Sequence, residues 1–220
     1  NRPGKNNNAN SIVAISLIKK NILWSHQDVI HDLWDYDVSA PPAIVDLKFD
    51  NHLYPALIVI SKIGNVYIFN RETGTNYFDI DYKKVPISKI IGEYNSHYQP
   101  KIDKPKPLDN LDVNLSNLNN DALKLYKDKI DLNHFTFGAF ETPKLGGEVI
   151  MNALHGGVSW TGFSVNPYKN IIFTPVNNIP YRLKLELKTY SKIILKNDSY
   201  DLYLNKCSSC HGKFRNGTFE

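Results

Sequence analysis

Short apolar runs closed by turn residues dominate the first ninety residues of the chain. Each run has the length of a β-strand: Ser11–Leu17, Ile22–Gln27, Ala43–Phe49, Ala56–Ser61 and Val66–Asn70. The last two runs are separated by Lys62-Ile63-Gly64-Asn65, as in a tight hairpin. A turn that ends in Gly74, a residue able to adopt positive φ, follows the fifth run. The pattern predicts a meander of antiparallel strands.

The sequence between residues 92 and 146 lacks the regular short apolar runs of the first ninety residues. It contains Pro100, Pro105 and Pro107, then a polar stretch of Asn and Asp, with a short helix predicted near Asp121–Lys129. We interpret this part as a long excursion over the surface of the sheet domain. Residues 156–165 and 171–176 then resume the meander, joined by a turn over residues 166–170.

The residue composition changes again after Pro180. A segment rich in Lys, Leu and Tyr continues to about Asn197, and Asp198–Lys206 is typical of an N-capped helix. The sequence therefore predicts a sheet domain over residues 1–180, a linker over 181–197 and the beginning of a second, α-helical domain over 198–220.

Composition narrows the class of protein without identifying it. The hydrophobic content is 42% and the charged content 22%, as in an ordinary globular protein, and 13 Tyr, 10 Phe and 3 Trp favour a mainly β structure. The net charge is +4 and the basic residues are dispersed, so a nucleic-acid partner is not expected. No apolar stretch approaches the roughly 20 residues needed to span a bilayer.

The two cysteines of the chain occur together in Cys207-Ser208-Ser209-Cys210-His211. This spacing is that of covalent haem attachment, with both thiols bonded to one porphyrin edge and His211 as the proximal ligand of the iron. A zinc half-site and a redox dithiol are the alternatives, although few Cys or His residues remain for zinc and the βαβ context of a dithiol is missing. The flanking Tyr200–Lys206 and Gly212 resemble class I cytochromes c.

The densest group of polar and aromatic residues extends from Trp24 to Asp37. This segment contains four carboxylates, two Trp and two His, at positions 26 and 31, and it comes at the end of a predicted strand. Such a composition suits the rim of a pocket better than a core. From the residues alone, this segment could be a metal-binding loop, a general-base site or a solvated loop anchored by Trp.

Several segments together resemble the quinoprotein glucose and alcohol dehydrogenases, which use pyrroloquinoline quinone (PQQ). They are Asn10–Ala14, Trp24–Asp37, the hairpin Ser61–Gly74, Gly156–Trp160 and Asn177–Pro180, in the order of the family. The combination of His-Asp-Leu-Trp-Asp with the Lys-x-Gly hairpin is the most specific part. The resemblance covers most of residues 1–180.

The resemblance implies roles for individual residues. Asp35 is expected to be the general base that removes the substrate hydroxyl proton, and Lys62 to contact the reactive carbonyl region of the quinone. Trp160 is expected near the cofactor, with a core position as the alternative, while Ser159 departs from the Asn that is usual there. His31 and Asp32 are expected either at the rim of the site or in packing. The family also uses Ca²⁺, whose principal ligands we expect outside this chain.

In the family these strands belong to an eight-bladed β-propeller with four-stranded blades, so we expect an all-β partial propeller followed by the start of a cytochrome c domain. The chain begins without a leader and ends soon after His211, and we interpret it as a piece of a longer periplasmic protein, either soluble or membrane-associated. That protein is expected to oxidise a sugar or alcohol CH–OH group and pass electrons through haem c to a respiratory acceptor. This piece alone is expected to be inactive. The alternative is a non-catalytic propeller module fused to an electron-carrying cytochrome.

Overall fold

The structure, a computed structural model, describes residues 6–108, 124, 135–151, 154, 157–158, 160–186 and 197–212, with only the backbone described at 197–199 and 210. Within these residues the secondary structure is mostly β. The strands are β1 Ser11–Ser16, β2 Asn21–Gln27, β3 Ala43–Phe49, β4 His52–Ile60, β5 Val66–Asn70, β6 Ile80–Lys84, β7 Tyr98–Ile102, β8 Phe135–Phe137, β9 Glu148–Met151, β10 Ser164–Asn166, β11 Ile171–Phe173 and β12 Tyr181–Lys184. Two helices follow, α1 Asn197–Lys206 and α2 Ser208–His211.

The described strands form five separate sheets. Their strand orders are β1-β2, β3-β4-β5, β6-β7, β8-β9-β12 and β10-β11, and every pairing is antiparallel except the parallel pairing of β8 with β9. The antiparallel meander predicted for the first ninety residues is therefore confirmed, with β3 and β5 at their predicted bounds. No sheet of four strands occurs among the described residues, so the number of blades stays a prediction.

The β4–β5 connection is the hairpin that the sequence predicts. The backbone N–H of Ser61 donates to the carbonyl of Asn65 at 3.0 Å, and Gly64 adopts φ +79° and donates to the carbonyl of Ser61 at 2.8 Å. Apolar side chains surround the turn, since Ile60, Ile63 and Val66 are each at most 3% exposed. Burial of one such side chain is favourable by roughly 1.5–3 kcal/mol, which holds the hairpin and its Lys62 inside the molecule.

The prediction that residues 92–146 lie on the surface is wrong for the part that forms strands. β7 pairs with β6, and its Gln99 and Ile102 are 0% and 1% exposed. Pairing requires only that a strand find a partner with free backbone groups, and Pro100 is tolerated because this two-stranded sheet leaves both strands at an edge. The helix predicted near Asp121–Lys129 lies outside the described residues apart from Lys124, which is helical.

The linker predicted from residue 181 begins too early. Residues Tyr181–Lys184 form β12, which pairs with β9 from Tyr181 opposite Met151 to Lys184 opposite Glu148. The Lys-rich texture was misleading because β12 is an edge strand, on which charged residues are common. Residues 187–196 lie outside the described part of the chain, and the helix predicted over 198–206 corresponds to α1.

Three apolar clusters join the sheets. One connects β1, β4, β5 and β7, a second connects the segment after β2 with the β4–β5 hairpin and β9, and a third connects that hairpin with Val158. All three include residues of β4, β5 or their hairpin. The hairpin therefore lies at the junction of the described core. Among the described residues, no helix has the length and apolar character needed to cross a membrane.

Candidate active site

The loop between β2 and β3, residues 28–42, folds around the carboxylate of Asp32. One carboxylate oxygen accepts a hydrogen bond from the backbone N–H of Trp34 at 2.8 Å. The other accepts one from the backbone N–H of Tyr36 at 2.7 Å and one from the side-chain amide of Asn10 at 2.9 Å. Burial raises the pKa of Asp32, and the two backbone hydrogen bonds oppose that rise. Asp32 thus holds the backbone of the loop in place through these three hydrogen bonds.

Two further anchors hold this β2–β3 loop from other parts of the chain. The Gln99 side chain accepts the backbone N–H of Ile30 and donates to its carbonyl, both at 2.8 Å. The indole N–H of Trp34 donates to the carbonyl of Glu141 at 2.8 Å, and Trp34 and Tyr36 are almost fully buried. Two other segments therefore hold the part of the loop that precedes Asp35, and the buried Tyr36 follows it directly.

Asp35 itself has a strained backbone, with φ +62°. A non-glycine residue in the left-handed region costs on the order of 1 kcal/mol, and such residues are frequent at functional sites. Its side chain is 73% exposed although its neighbours Trp34 and Tyr36 are buried. The loop thus presents one carboxylate outward from a fixed position.

The ammonium group of Lys62 meets this carboxylate. Lys62 is 3% exposed, and its Nζ lies 2.5 Å from the carbonyl oxygen and 2.8 Å from Oδ2 of Asp35. Oδ1 of Asp37 is at the limit of hydrogen bonding, 3.5 Å away. An ammonium has three N–H donors, so two are firmly used and the third is held only weakly. A carbonyl oxygen of a ligand could replace Asp37 on that third donor.

The segment containing Trp160 also reaches Lys62. The backbone N–H groups of Gly157 and Val158 donate to the Lys62 carbonyl at 3.1 and 3.2 Å, and Asn177 donates to the carbonyl of Gly157 at 2.7 Å. Trp160 follows two residues later and is 74% exposed in this chain. Ser159 and Gly156 lie outside the described residues.

A buried polar group lies beside the hairpin. The Asp28 carboxylate accepts hydrogen bonds from the Asn65 side chain at 2.9 Å and from the Tyr67 hydroxyl. Burial raises the pKa of Asp28, and it raises the pKa of Tyr67 well above its usual value. His26 packs against Tyr67 at 4.7 Å between ring centroids, and burial lowers its pKa to about 4, so it is neutral at pH 7.

The structure brings Asp35 and Lys62 together and places Trp160 on a segment bonded to the backbone of Lys62. His31 is a packing residue, since it is buried and its ring contacts that of Tyr94 at 4.8 Å. Sequence reasoning did not identify Asp37 as a partner of Lys62, although its spacing of two residues from Asp35 in an extended segment could have indicated it.

In the Cys207–His211 segment, Cys207 is a turn residue directly after α1, and Ser208–His211 form the short helix α2. The backbone N–H of His211 donates to the carbonyl of Cys207 at 3.0 Å, and the Tyr203 hydroxyl donates to the carbonyl of Gly212 at 2.7 Å. Cys207 and His211 are both exposed and one helical turn apart, while the side chain of Cys210 lies outside the described residues. No group of three or more His, Cys, Asp or Glu residues suited to a metal ion occurs in the described part of the chain.

Comparison with known proteins adds a family to this geometry. The family model "PQQ: Glucose/ethanol/alcohol dehydrogenase, beta-propeller domain" matches residues 1–207. Quinoprotein glucose dehydrogenase of Gluconobacter oxydans is 28% identical over 179 residues, which are 79% of this chain and 22% of that protein. The enzyme of the same name from Escherichia coli is 25% identical over 188 residues, 83% of this chain and 23% of that protein.

Among solved structures, the quinohemoprotein alcohol dehydrogenase of Comamonas testosteroni aligns with 82% of this chain and 21% of its own, at 19% identity and a TM-score of 0.47. The chain spans less than a quarter of the length of each of these relatives.

Proposed function

The chain belongs to the PQQ glucose/ethanol/alcohol dehydrogenase β-propeller family, and on that premise we propose that the whole protein is a PQQ-dependent dehydrogenase of a sugar or alcohol CH–OH group. The observation that carries the proposal is the contact of Lys62 with Asp35, at 2.8 Å between Nζ and Oδ2. One partner is buried and the other is exposed, so the pair lies where the interior of the described chain meets solvent.

The described residues fit a bound quinone. Lys62 has a weakly held third donor for a carbonyl oxygen, and Trp160 offers an exposed flat ring on a segment bonded to the Lys62 backbone. When bound, PQQ would supply the electron acceptor for the CH–OH group. The proposal includes Ca²⁺ as the metal of the family, with its principal ligands outside the described residues.

Asp35 would accept the hydroxyl proton of the substrate. Its carboxylate is exposed and is held by the loop at a positive φ, beside the Lys62 ammonium. Lys62 would orient the cofactor and stabilise negative charge that develops on the adjacent carbonyl oxygen. Burial of Lys62 reduces screening by water, which strengthens this effect.

The CxxCH segment supports a second part of the proposal, a covalent haem c that carries electrons to a respiratory acceptor. Cys207 and Cys210 would form the thioether bonds and His211 would bind the iron. The exposure of Cys207 and His211 on adjacent turns leaves both side chains accessible to one porphyrin. Because haem is attached outside the cytoplasm, we propose a periplasmic protein in which the cytochrome segment is joined to, or inserted in, the propeller.

The experiment uses the whole protein, produced in a bacterial periplasm and supplied with PQQ and Ca²⁺. We expect Asp35→Asn to lower substrate-dependent reduction of an artificial acceptor by roughly 10²–10⁴-fold. The matched control is Asp46→Asn, which also removes an exposed carboxylate of an ion pair, that with Arg71, and should leave the rate unchanged. Full activity in Asp35→Asn would reject the catalytic assignment and leave the non-catalytic module as the better explanation.

The haem is tested separately with a pyridine haemochrome spectrum of the same preparation. The native protein should show the spectrum of a covalently bound haem, and Cys207→Ser should show one remaining vinyl group or no haem. A native protein without haem would reject this second part and leave the first untouched.

A further inference from the structure

The Asp28 carboxylate connects the two segments that carry the proposed active-site pair. Asp28 begins the β2–β3 loop, which holds Asp35, and it accepts hydrogen bonds from Asn65 and Tyr67, which follow Lys62 in the hairpin and in β5. Its own backbone N–H donates to the carbonyl of Asn10 at 3.0 Å, so the backbone of Asp28 is also held by the residue that precedes β1.

All three side chains of this contact are buried, so each needs a hydrogen-bond partner within the protein. Asp28 is 1% exposed, Asn65 2% and Tyr67 0%. Removing the carboxylate would leave the buried Tyr67 hydroxyl without its acceptor, and it would leave the Asn65 amide with only a long contact to that hydroxyl, at 3.4 Å. A hairpin with unsatisfied donors gains by moving them toward solvent, and Lys62 would move with them.

We propose that Asp28 is a positioning residue, which holds the β4–β5 hairpin against the β2–β3 loop so that the Lys62 ammonium stays buried beside Asp35. Ile63 of the hairpin also packs in the apolar cluster that contains residues of the loop. Among the described residues, the other polar links between the two segments are the contacts of the Lys62 ammonium with Asp35 and Asp37 and the Lys62 N–H, which donates to the Asp37 carbonyl at 3.2 Å. All of these polar links pass through Lys62. Asp28 acts on a different pair of residues, so it can hold Lys62 in place without touching it.

The catalytic consequence of this inference rests on the proposed function, but its structural part does not. The primary measurement is therefore chemical. An amine-reactive acetylating reagent is added to the whole protein before any PQQ, and acetylation of Lys62 is followed by peptide mass spectrometry. The exposed Lys84 serves as the internal standard.

Lys62 should react much more slowly than Lys84 in the native protein. In Asp28→Ala its labelling rate should rise by roughly tenfold, as expected for the loss of two buried hydrogen-bond acceptor contacts. Asp28→Asn keeps an acceptor oxygen and should return most of the protection. The matched control is Tyr77→Phe, which removes a hydroxyl donated to the Pro55 carbonyl at the other end of β4 and should leave Lys62 protected.

An unchanged labelling rate in a folded Asp28→Ala protein would overturn the inference, and so would an equal rise in Tyr77→Phe, since that would indicate general loosening. If Asp28→Ala does not fold, Tyr67→Phe takes its place, because it removes one donor and leaves the ring. A smaller rise is expected there, and no rise would overturn the inference.

In the protein loaded with PQQ, Asp28→Ala should lower kcat more than it raises KM, with Asp28→Asn restoring kcat. Increased labelling of Lys62 together with full activity in Asp35→Asn would keep the positioning role and reject the proposed function. Unchanged labelling together with an inactive Asp35→Asn would do the reverse.

Discussion

Replacement of Lys62 by Met separates the chemistry of this residue from its contribution to folding. Met is unbranched and of similar length, so it fills the space of a side chain that is 96% buried, given the 4% side-chain exposure. The substitution removes the charge and the contacts with Asp35 at 2.5 and 2.8 Å. It leaves the backbone hydrogen bonds of Lys62 with Asp37, Gly157 and Val158 in place.

The structure predicts a small effect on stability. Asp35 and Asp37 are 73% and 42% exposed, so both carboxylates can be solvated by water once the ammonium is gone. Loss of the hydrogen bonds destabilises the fold, whereas removal of a buried charge ends the free-energy cost of keeping that charge away from water. The two effects oppose each other and leave a net change in the free energy of unfolding on the order of 1 kcal/mol.

The effect on activity should be far larger. Removing a donor aimed at a developing negative charge costs about 3–4 kcal/mol, or roughly 10²–10³ in kcat. Lys62→Met in the whole protein should therefore unfold in urea near the native midpoint while its turnover with PQQ falls at least a hundredfold by this reasoning.

The assay compares steady-state turnover and urea unfolding on the same preparations. Lys101→Met is the matched control, because Lys101 is also paired with a carboxylate, that of Asp103 at 2.9 Å, but is exposed. It should change neither quantity. Turnover of Lys62→Met within threefold of the native protein would refute the role of Lys62, and a large loss of stability would refute the argument from exposed partners.

Two further predictions concern the core around the site. The pKa of His26 is about 4 in the folded chain and 6.5 when unfolded, so the unfolded state binds more protons between these values and stability falls as the pH drops through that window. From pH 7 to 4.5 this loss is about 2 kcal/mol. His26→Phe should remove it, measured by urea unfolding at both pH values; equal losses in both proteins would contradict the assignment. Gly74→Ala should destabilise the chain by roughly 1–3 kcal/mol, because Gly74 has φ +75° and an added Cβ would lie 2.5 Å from the Trp24 ring. An unchanged urea midpoint would show that this turn can relax.

Local signals in the sequence were sufficient for the strands with strong turn chemistry. The bounds of β3 and β5 and the Gly64 hairpin follow from apolar runs ended by residues that favour turns. Elements without such signals were missed or misplaced. β7 contains a proline, and β12 is rich in charge, so each resembles a loop until its partner strand is known.

The candidate site shows the same division. Asp35 and Lys62 were found through a family resemblance in their own short segments, and neither segment indicates by itself that the two side chains meet. Gln99 holds the loop at Ile30 from 69 residues away, and no pattern near it predicts that contact. Asp28 likewise looks like one of several acidic residues in a polar stretch.

The sequence by itself determined the mainly β character, the hairpin that carries Lys62, the helix before the cysteines and the family to which the chain belongs. Only the tertiary structure decided that Lys62 is buried against an exposed carboxylate, that β8 pairs in parallel with β9, and that Asp28 accepts hydrogen bonds from Asn65 and Tyr67. The reason is the range of the interactions. Turn preference and side-chain alternation act between neighbours in the chain, whereas burial and hydrogen-bond partners depend on which distant segments exclude water together.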